Sequence, residues 1–173
     1  MTKIIYMLIF IVLFSSCENK NTKTENAKGT SEKEAINTLL DTWHLSASEA
    51  EFDSYFNSMA KASVFIGTDA SENWKKKDFK AFSKPFFDRG EAWDFKSLER
   101  NVYISSDGKT AWFDELLDTW MGICRGSGVL SKNENVWKIE HYVLSVTIPN
   151  ENINEVIAIK KEKDSIIFAK LRK

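Results

Sequence analysis

Acid–base chemistry in this 173-residue chain would fall to two histidines, a few carboxylates and an arginine that precedes Gly126-Ser127-Gly128. Along Val136–Ile148, strand alternation places Trp137, Ile139, His141 and Val143 on one face. That face is apolar enough to be the inner one, which leaves Lys138, Glu140 and Tyr142 outside. His141 then reads as an imidazole among apolar neighbours, either a core histidine satisfied by one hydrogen bond or a group tuned for proton transfer. Along Thr110–Asp118 the two faces are Trp112/Asp114/Leu116 and Phe113/Glu115/Leu117. Each face carries an acid, so one of Asp114 and Glu115 points inward; alternation leaves open which. Arg125, Ser127 and Val129 share a face, and Gly126 and Gly128 leave the other bare, as happens where a strand bends or another group approaches closely. An inward carboxylate beside Arg125, with Asp69 near a pocket mouth, would form an acid–Arg–acid set. Arginine pairs bidentately with one carboxylate, and the second acid can activate water or move a proton. The same residues also suit an ion pair bracing two strands, and Asp69, following Gly67-Thr68, suits a cap.

The tryptophans form a second candidate constellation. Trp43, Trp74, Trp93, Trp112, Trp120 and Trp137 are many for this length, and several around one cavity would suit a flat apolar or aromatic ligand. Trp43, Phe65, Trp74, Trp93, Trp112, Phe113 and Trp137 are the candidate lining, with core filling as the competing role. His44, beside Trp43 at a helix edge, reads as surface. Two histidines far apart and no acid cluster at ligand spacing argue against a metal site, and no cofactor is expected. Of the two cysteines, Cys124 reads as a small buried apolar residue, because no histidine adjoins it. With 24 basic against 25 acidic residues, there is no concentrated basic face for nucleic acid.

The elements that must position these groups follow from periodicity. Length and a 43% hydrophobic content allow one domain with a real core. Ser31-Glu32-Lys33-Glu34 is a capping box that predicts a helix burying Ile36, Leu39, Leu40, Trp43 and Ala47. Ser48-Glu49-Ala50-Glu51 predicts a second helix, with Phe52, Tyr55, Phe56 and Met59 on one face. Ser63–Gly67 reads as a short strand. A third helix is expected over Lys77–Phe87, burying Phe79, Phe82 and Phe86, with Pro85 in its last turn and Gly90 ending it. Strands follow at Phe95–Ser105, Thr110–Asp118, Arg125–Ser131 and Val136–Ile148, with a hairpin turn at Ser106-Asp107-Gly108-Lys109. Helices first and antiparallel strands afterwards predict an α+β domain with helices on one face of a curved antiparallel sheet.

Several stretches carry a family resemblance: Phe65-Ile66-Gly67-Thr68-Asp69, Trp74, Pro85-Phe86-Phe87-Asp88 with Gly90 and Trp93, Ala111-Trp112-Phe113-Asp114-Glu115, Cys124-Arg125-Gly126-Ser127-Gly128-Val129-Leu130, and Trp137-Lys138-Ile139 running to Leu144-Ser145. Together with the order of elements, they resemble the SnoaL-like branch of the nuclear-transport-factor-2-like superfamily over about residues 31–150. The resemblance implies a cone-shaped fold with a pocket between sheet and helices, and often a homodimer through the sheet's outer face. It implies no single reaction, since isomerases, cyclases and epoxide hydrolases share the superfamily. Its epoxide hydrolases use an acid–Arg–acid arrangement like the one considered above.

The amino-terminal segment reads as an address. Lys3 precedes an apolar run from Ile4 to Phe14, and Ser15-Ser16-Cys17 gives small residues at a processing point. Eleven residues of helix cover roughly 16 Å, about half a bilayer's hydrocarbon core, so the run suits a signal h-region. The small-small-Cys ending resembles a bacterial lipobox, with Phe14 where leucine is usual. Residues 1–16 are thus expected to be a signal peptide and 17–31 a lipidated Cys17 with a polar, disordered tether. Residues 32–150 form the domain and 151–173 a helical extension. The chain is expected to be exported and anchored to a membrane. Its expected partner is a small, mostly apolar molecule; the alternatives are an isomerase- or hydrolase-type enzyme using Asp69, Asp114 or Glu115, Arg125 and His141, or a dimeric scaffold with a filled cone.

Overall fold

The structure, a computed structural model, describes residues 20–172, with side chains from residue 29. The expected signal peptide and Cys17 lie outside the described residues. The chain runs α1 (Lys20–Ser48), α2 (Phe52–Asn57), β1 (Met59–Ile66), β2 (Asn73–Lys75), α3 (Lys76–Asp88), β3 (Lys96–Ile104), β4 (Thr110–Thr119), β5 (Gly122–Asn133), β6 (Val136–Val146), a 3-10 turn (Asn150–Asn152) and α4 (Ile153–Leu171).

α1 buries Ile36, Leu40, Trp43 and Ala47 along one stripe, at the spacing of a helix packed on a sheet. The helix passes through Ser31–Glu34 without starting there. Helix propagation costs little once a packed section exists, so it extends back to Lys20, across residues for which a disordered tether is expected. Glu32 accepts a hydrogen bond from the Trp137 indole N–H at 2.8 Å and an ion pair from Lys132 Nζ at 2.6 Å. It thereby ties α1 to the β5–β6 hairpin. Ala50, at φ 57°, turns the chain into α2, and Met59, expected on α2, instead opens β1. In α3 the buried stripe is Phe79, Ser83 and Phe87. Phe82 and Phe86, expected beneath the helix, lie on its neighbouring flank.

The six strands form one sheet in the order β2-β1-β6-β5-β4-β3. Every neighbouring pair is antiparallel except β1 and β6, which run parallel. The expected all-antiparallel sheet is therefore mixed, because β1 enters from the helical layer and closes against the last strand. The architecture is otherwise the expected α+β one, with α1, α2 and α3 over one face of a curved, open sheet.

A bulge decides which side chains meet the helices. Val129 pairs with His141 and the next residue, Leu130, with Ile139, so Glu140 is the extra residue in β6. Alternation reverses there. Trp137 and Ile139 face inward before the bulge, Tyr142 and Leu144 after it, and His141 and Val143 are turned to the outer face. Ser131 Oγ donates to Glu140 Oε1 at 2.5 Å across the bulge.

Among the described residues, α4 makes its main contacts with the 3-10 turn before it, and none of its described residues is buried. Deleting residues 153–173 is accordingly expected to leave the thermal midpoint of the domain within about 2 °C, since exposed changes shift stability by only about 0.5 kcal/mol. A thermal melt by circular dichroism checks this; a large drop would mean that α4 supports the core.

Candidate functional site

A cavity of about 240 Å³ opens where α3, β1, β2, the loop before β3 and the β4–β5 turn converge. Its wall is largely aromatic. Phe65 of β1 stacks on Phe79 of α3 with centroids 4.0 Å apart and 11° between planes, and Phe79 stacks in turn on Trp93 at 5.8 Å. Trp74 of β2 stacks on Phe82 at 5.1 Å. Phe86, Phe95, Leu144 and Met121 fill the remaining wall, and Trp120 at the rim is 82% exposed. The arrangement explains Phe82 and Phe86: they turn away from the buried stripe of α3 to line this cavity.

One carboxylate belongs to the lining. Glu72 is half-buried, and its Oε2 accepts the Asp69 N–H at 3.1 Å. Gly67 lies directly under that carboxyl group, and a Cβ there would overlap it. Glycine is required at 67 so that the acid can fold back over the strand end. Asp69 itself lies outside the lining. Its Oδ1 accepts from Ser71 N–H and Oγ, at 2.8 and 2.5 Å, which lowers its pKa. It closes the β1–β2 loop as an Asx-type turn, ahead of a strand and not of a helix.

The buried charge of the domain lies elsewhere, between α1 and the inner faces of β3, β4 and β6. Glu115 is 1% exposed, which resolves the choice between Asp114 and Glu115: Asp114 faces outward, hydrogen-bonded by the Asn101 amide at 3.3 Å. Glu115 Oε1 meets His44 Nε2 at 2.9 Å and accepts the Tyr142 hydroxyl at 3.1 Å. Its Oε2 accepts Arg100 Nε at 2.8 Å. Arg100 reaches on to Asp41 Oδ1 at 2.7 Å and Asn37 O at 3.3 Å. Burial works to raise the Glu115 pKa, but the His44 hydrogen bond and charge and the Arg100 guanidinium outweigh it and hold the group below the usual carboxylate range. The Tyr142 hydroxyl is pushed well above its ordinary value, by burial first and by the adjacent Glu115 second. Gly126 completes the cluster. A Cβ at 126 would press on the Tyr142 hydroxyl and stand 2.8 Å from Glu115 Oε1, which is the close approach its bare strand face anticipated.

An acid–Arg–acid set therefore exists, built from Asp41, Arg100 and Glu115. Arg125, expected in it, is exposed on the outer face and takes no part, since Gly126 and not Arg125 faces the helices. His141 is turned outward by the bulge, and His44, expected at the surface, is the buried histidine. The signal that could have found His44 and Arg100 was their spacing. His44 falls between Leu40 and Ala47 on the buried side of α1, and Arg100 falls on the face of β3 shared with Val102.

Of the candidate lining residues, the structure brings together Phe65, Trp74 and Trp93. Trp43 is core, stacked 4.9 Å from Tyr55 and edge-on to Tyr142 at 4.8 Å. Phe113 is core as well, and Trp137 is buried against Glu32. Trp112 stands 47% exposed on the outer sheet face, stacked on Tyr103, because β4 turns Phe113 and Glu115 inward. A second cleft, of about 440 Å³, is bordered by Asp41, His44, Asp94 and Lys96. Cys124 is buried and unpaired. Among the described residues, no group of three or more His, Cys, Asp or Glu is placed to hold a metal ion.

A model of the SnoaL-like domain family matches residues 36–149. No protein of curated function matches the sequence. Among solved structures, an NTF2-like protein of unknown function from Pseudomonas putida KT2440 superposes with a TM-score of 0.58 at 16% identity, over 72% of this chain and 92% of that one. A domain of unknown function with a cystatin-like fold from Nostoc punctiforme gives 0.60 at 15%, over 83% and 98%. An NTF2-like protein from Cytophaga hutchinsonii gives 0.56 at 14%, over 66% and 98%. At these identities the likeness is one of fold.

Proposed function

Because the chain belongs to the SnoaL-like domain family, we propose that it works as a membrane-tethered binding module holding a small, mostly apolar molecule in the aromatic cavity, without chemistry on that molecule. One observation carries this reading: the cavity is walled by aromatic rings from five separate parts of the chain, with an 82% exposed tryptophan at its rim. Exposed aromatic surface around a concavity is costly in water and is retained where a ligand covers it. Export and lipidation at Cys17 supply the tether, on the strength of the apolar run and the Ser15-Ser16-Cys17 ending.

The acid–Arg–acid set favours a second reading, proton transfer or water addition at the His44 cleft. Two facts weigh against it. Glu115 accepts hydrogen bonds on both oxygens and is held ionised, which makes it a weak base. Neither Glu115 nor Arg100 lines the His44 cleft, where a substrate would have to sit.

The purified protein is expected to bind the neutral fluorescent probe N-phenyl-1-naphthylamine, and Trp74→Ala is expected to weaken that binding about 10-fold, the loss of one large aromatic contact surface. Unchanged binding in Trp74→Ala would sink the cavity as the site. Cys17→Ser should move the protein from the membrane fraction to the soluble one; retention in the membrane would remove the lipid anchor from the reading.

A further inference from the structure

Resting on the reading of the aromatic cavity as a ligand site, we propose that its natural ligand is an organic cation of the quaternary-ammonium class, with Glu72 as the counter-charge. Among the described residues, Glu72 is the only charged side chain in the lining, which contains no lysine or arginine. The cleft beside it, of about 460 Å³, shares Ala92, Trp93 and Trp120 with the cavity. That cleft is lined by Glu91, Asp94 and Asp118 against Lys96, which is paired with Asp94 at 3.3 Å. A ligand entering past Trp120 therefore meets acid first, then ring faces, then a carboxylate.

Each part of that path selects positive charge. The faces of Trp and Phe rings carry negative potential and attract cations. One ring of the lining already holds a cation, the Arg89 guanidinium 4.8 Å from the centroid of Phe86. An anion would be repelled by Glu72, and a neutral apolar ligand would bury that carboxylate with the Asp69 N–H as its one hydrogen bond and no counter-charge. The choice of a methylated cation over a primary amine follows from hydrogen bonding. An ammonium carries three N–H donors, and the lining offers few acceptors besides Glu72 to replace the water they lose. A quaternary ammonium has no N–H to satisfy and presents methyl groups that pack on rings.

Choline and its neutral carbon isostere 3,3-dimethylbutan-1-ol separate charge from shape. In titrations of the purified protein followed by tryptophan fluorescence and by the indole N–H signals in NMR, choline is expected to bind about 10-fold or more tighter than the isostere. Glu72→Gln, at a loop position outside the core, is expected to shrink that preference severalfold, by weakening choline and sparing the isostere the burial of a carboxylate. Equal binding of the two compounds, or a preference undiminished in Glu72→Gln, overturns the inference. If both compounds fail while N-phenyl-1-naphthylamine still binds, the cation inference falls and the cavity remains a ligand site. If all three fail, both readings fall.

Discussion

Glu115→Ala is expected to destabilise the domain by about 3–5 kcal/mol, the cost of leaving a buried charge without its partner. The Arg100 side chain is itself nearly buried and would keep only the Asn37 carbonyl and Asp41, whose carboxylate is largely exposed. The His44 ring and Tyr142 hydroxyl would lose a buried acceptor at the same time. Against a total stability of about 5–15 kcal/mol, the loss is about a fifth or more, and the thermal midpoint should fall by roughly 10 °C. Urea unfolding of the variant measures it. A change below about 1 kcal/mol would mean that water reaches the cluster and that the network is dispensable. A pH dependence accompanies this. The folded-state pKa of Glu115 lies below its unfolded value of roughly 4.3, so the group's contribution is complete above that unfolded pKa. It is lost as pH falls through the depressed folded value. Acid unfolding of the wild type should show that loss, and Glu115→Gln should flatten it.

Trp43→Ala is expected to cost about 3–5 kcal/mol as well, for a different reason: it empties the centre of the aromatic core. The Trp43 ring is 1% exposed and touches Tyr55, His44 and Tyr142 within about 5 Å. No neighbouring ring can collapse into so large a space without breaking its own stack. Trp112→Ala serves as the comparison. The Trp112 ring leans on Tyr103 in solvent, so its loss is expected within about 1 kcal/mol. Denaturant melts of the two variants distinguish core from surface directly. Equal effects would contradict the assignment of Trp43 to the filled interior and Trp112 to the outer face. The contrast with Trp74→Ala matters too: that change is expected to reduce ligand binding while the fold persists.

These three tryptophans show how far residue type alone reaches. All three are candidates for one lining on composition and approximate face, yet one fills the core, one lies outside and one borders the cavity. A ring that completes the interior and a ring that borders a void satisfy the same hydrophobic pattern. Only the arrangement of α3 against the end of β1 leaves a gap beside Trp74.

Periodicity and turn chemistry by themselves determined the order of elements, the helices over one sheet face, and the stripe Ile36, Leu40, Trp43 and Ala47, because burying an apolar face fixes the period of the chain that carries it. The same local logic predicted that an acid on β4 faces inward and that a bare glycine face on β5 admits another group. Tertiary structure decided the rest. A one-residue bulge at Glu140 exchanged His141 for Tyr142 on the inner face, and alternation has no means of announcing where it will slip. Arg100 and His44 met Glu115 from elements separated by 15 and 71 residues in sequence, a convergence that only packing of α1 across β3 and β4 could bring about. The cavity beneath Trp120 likewise exists because several separate segments stop short of one another, which no single segment encodes.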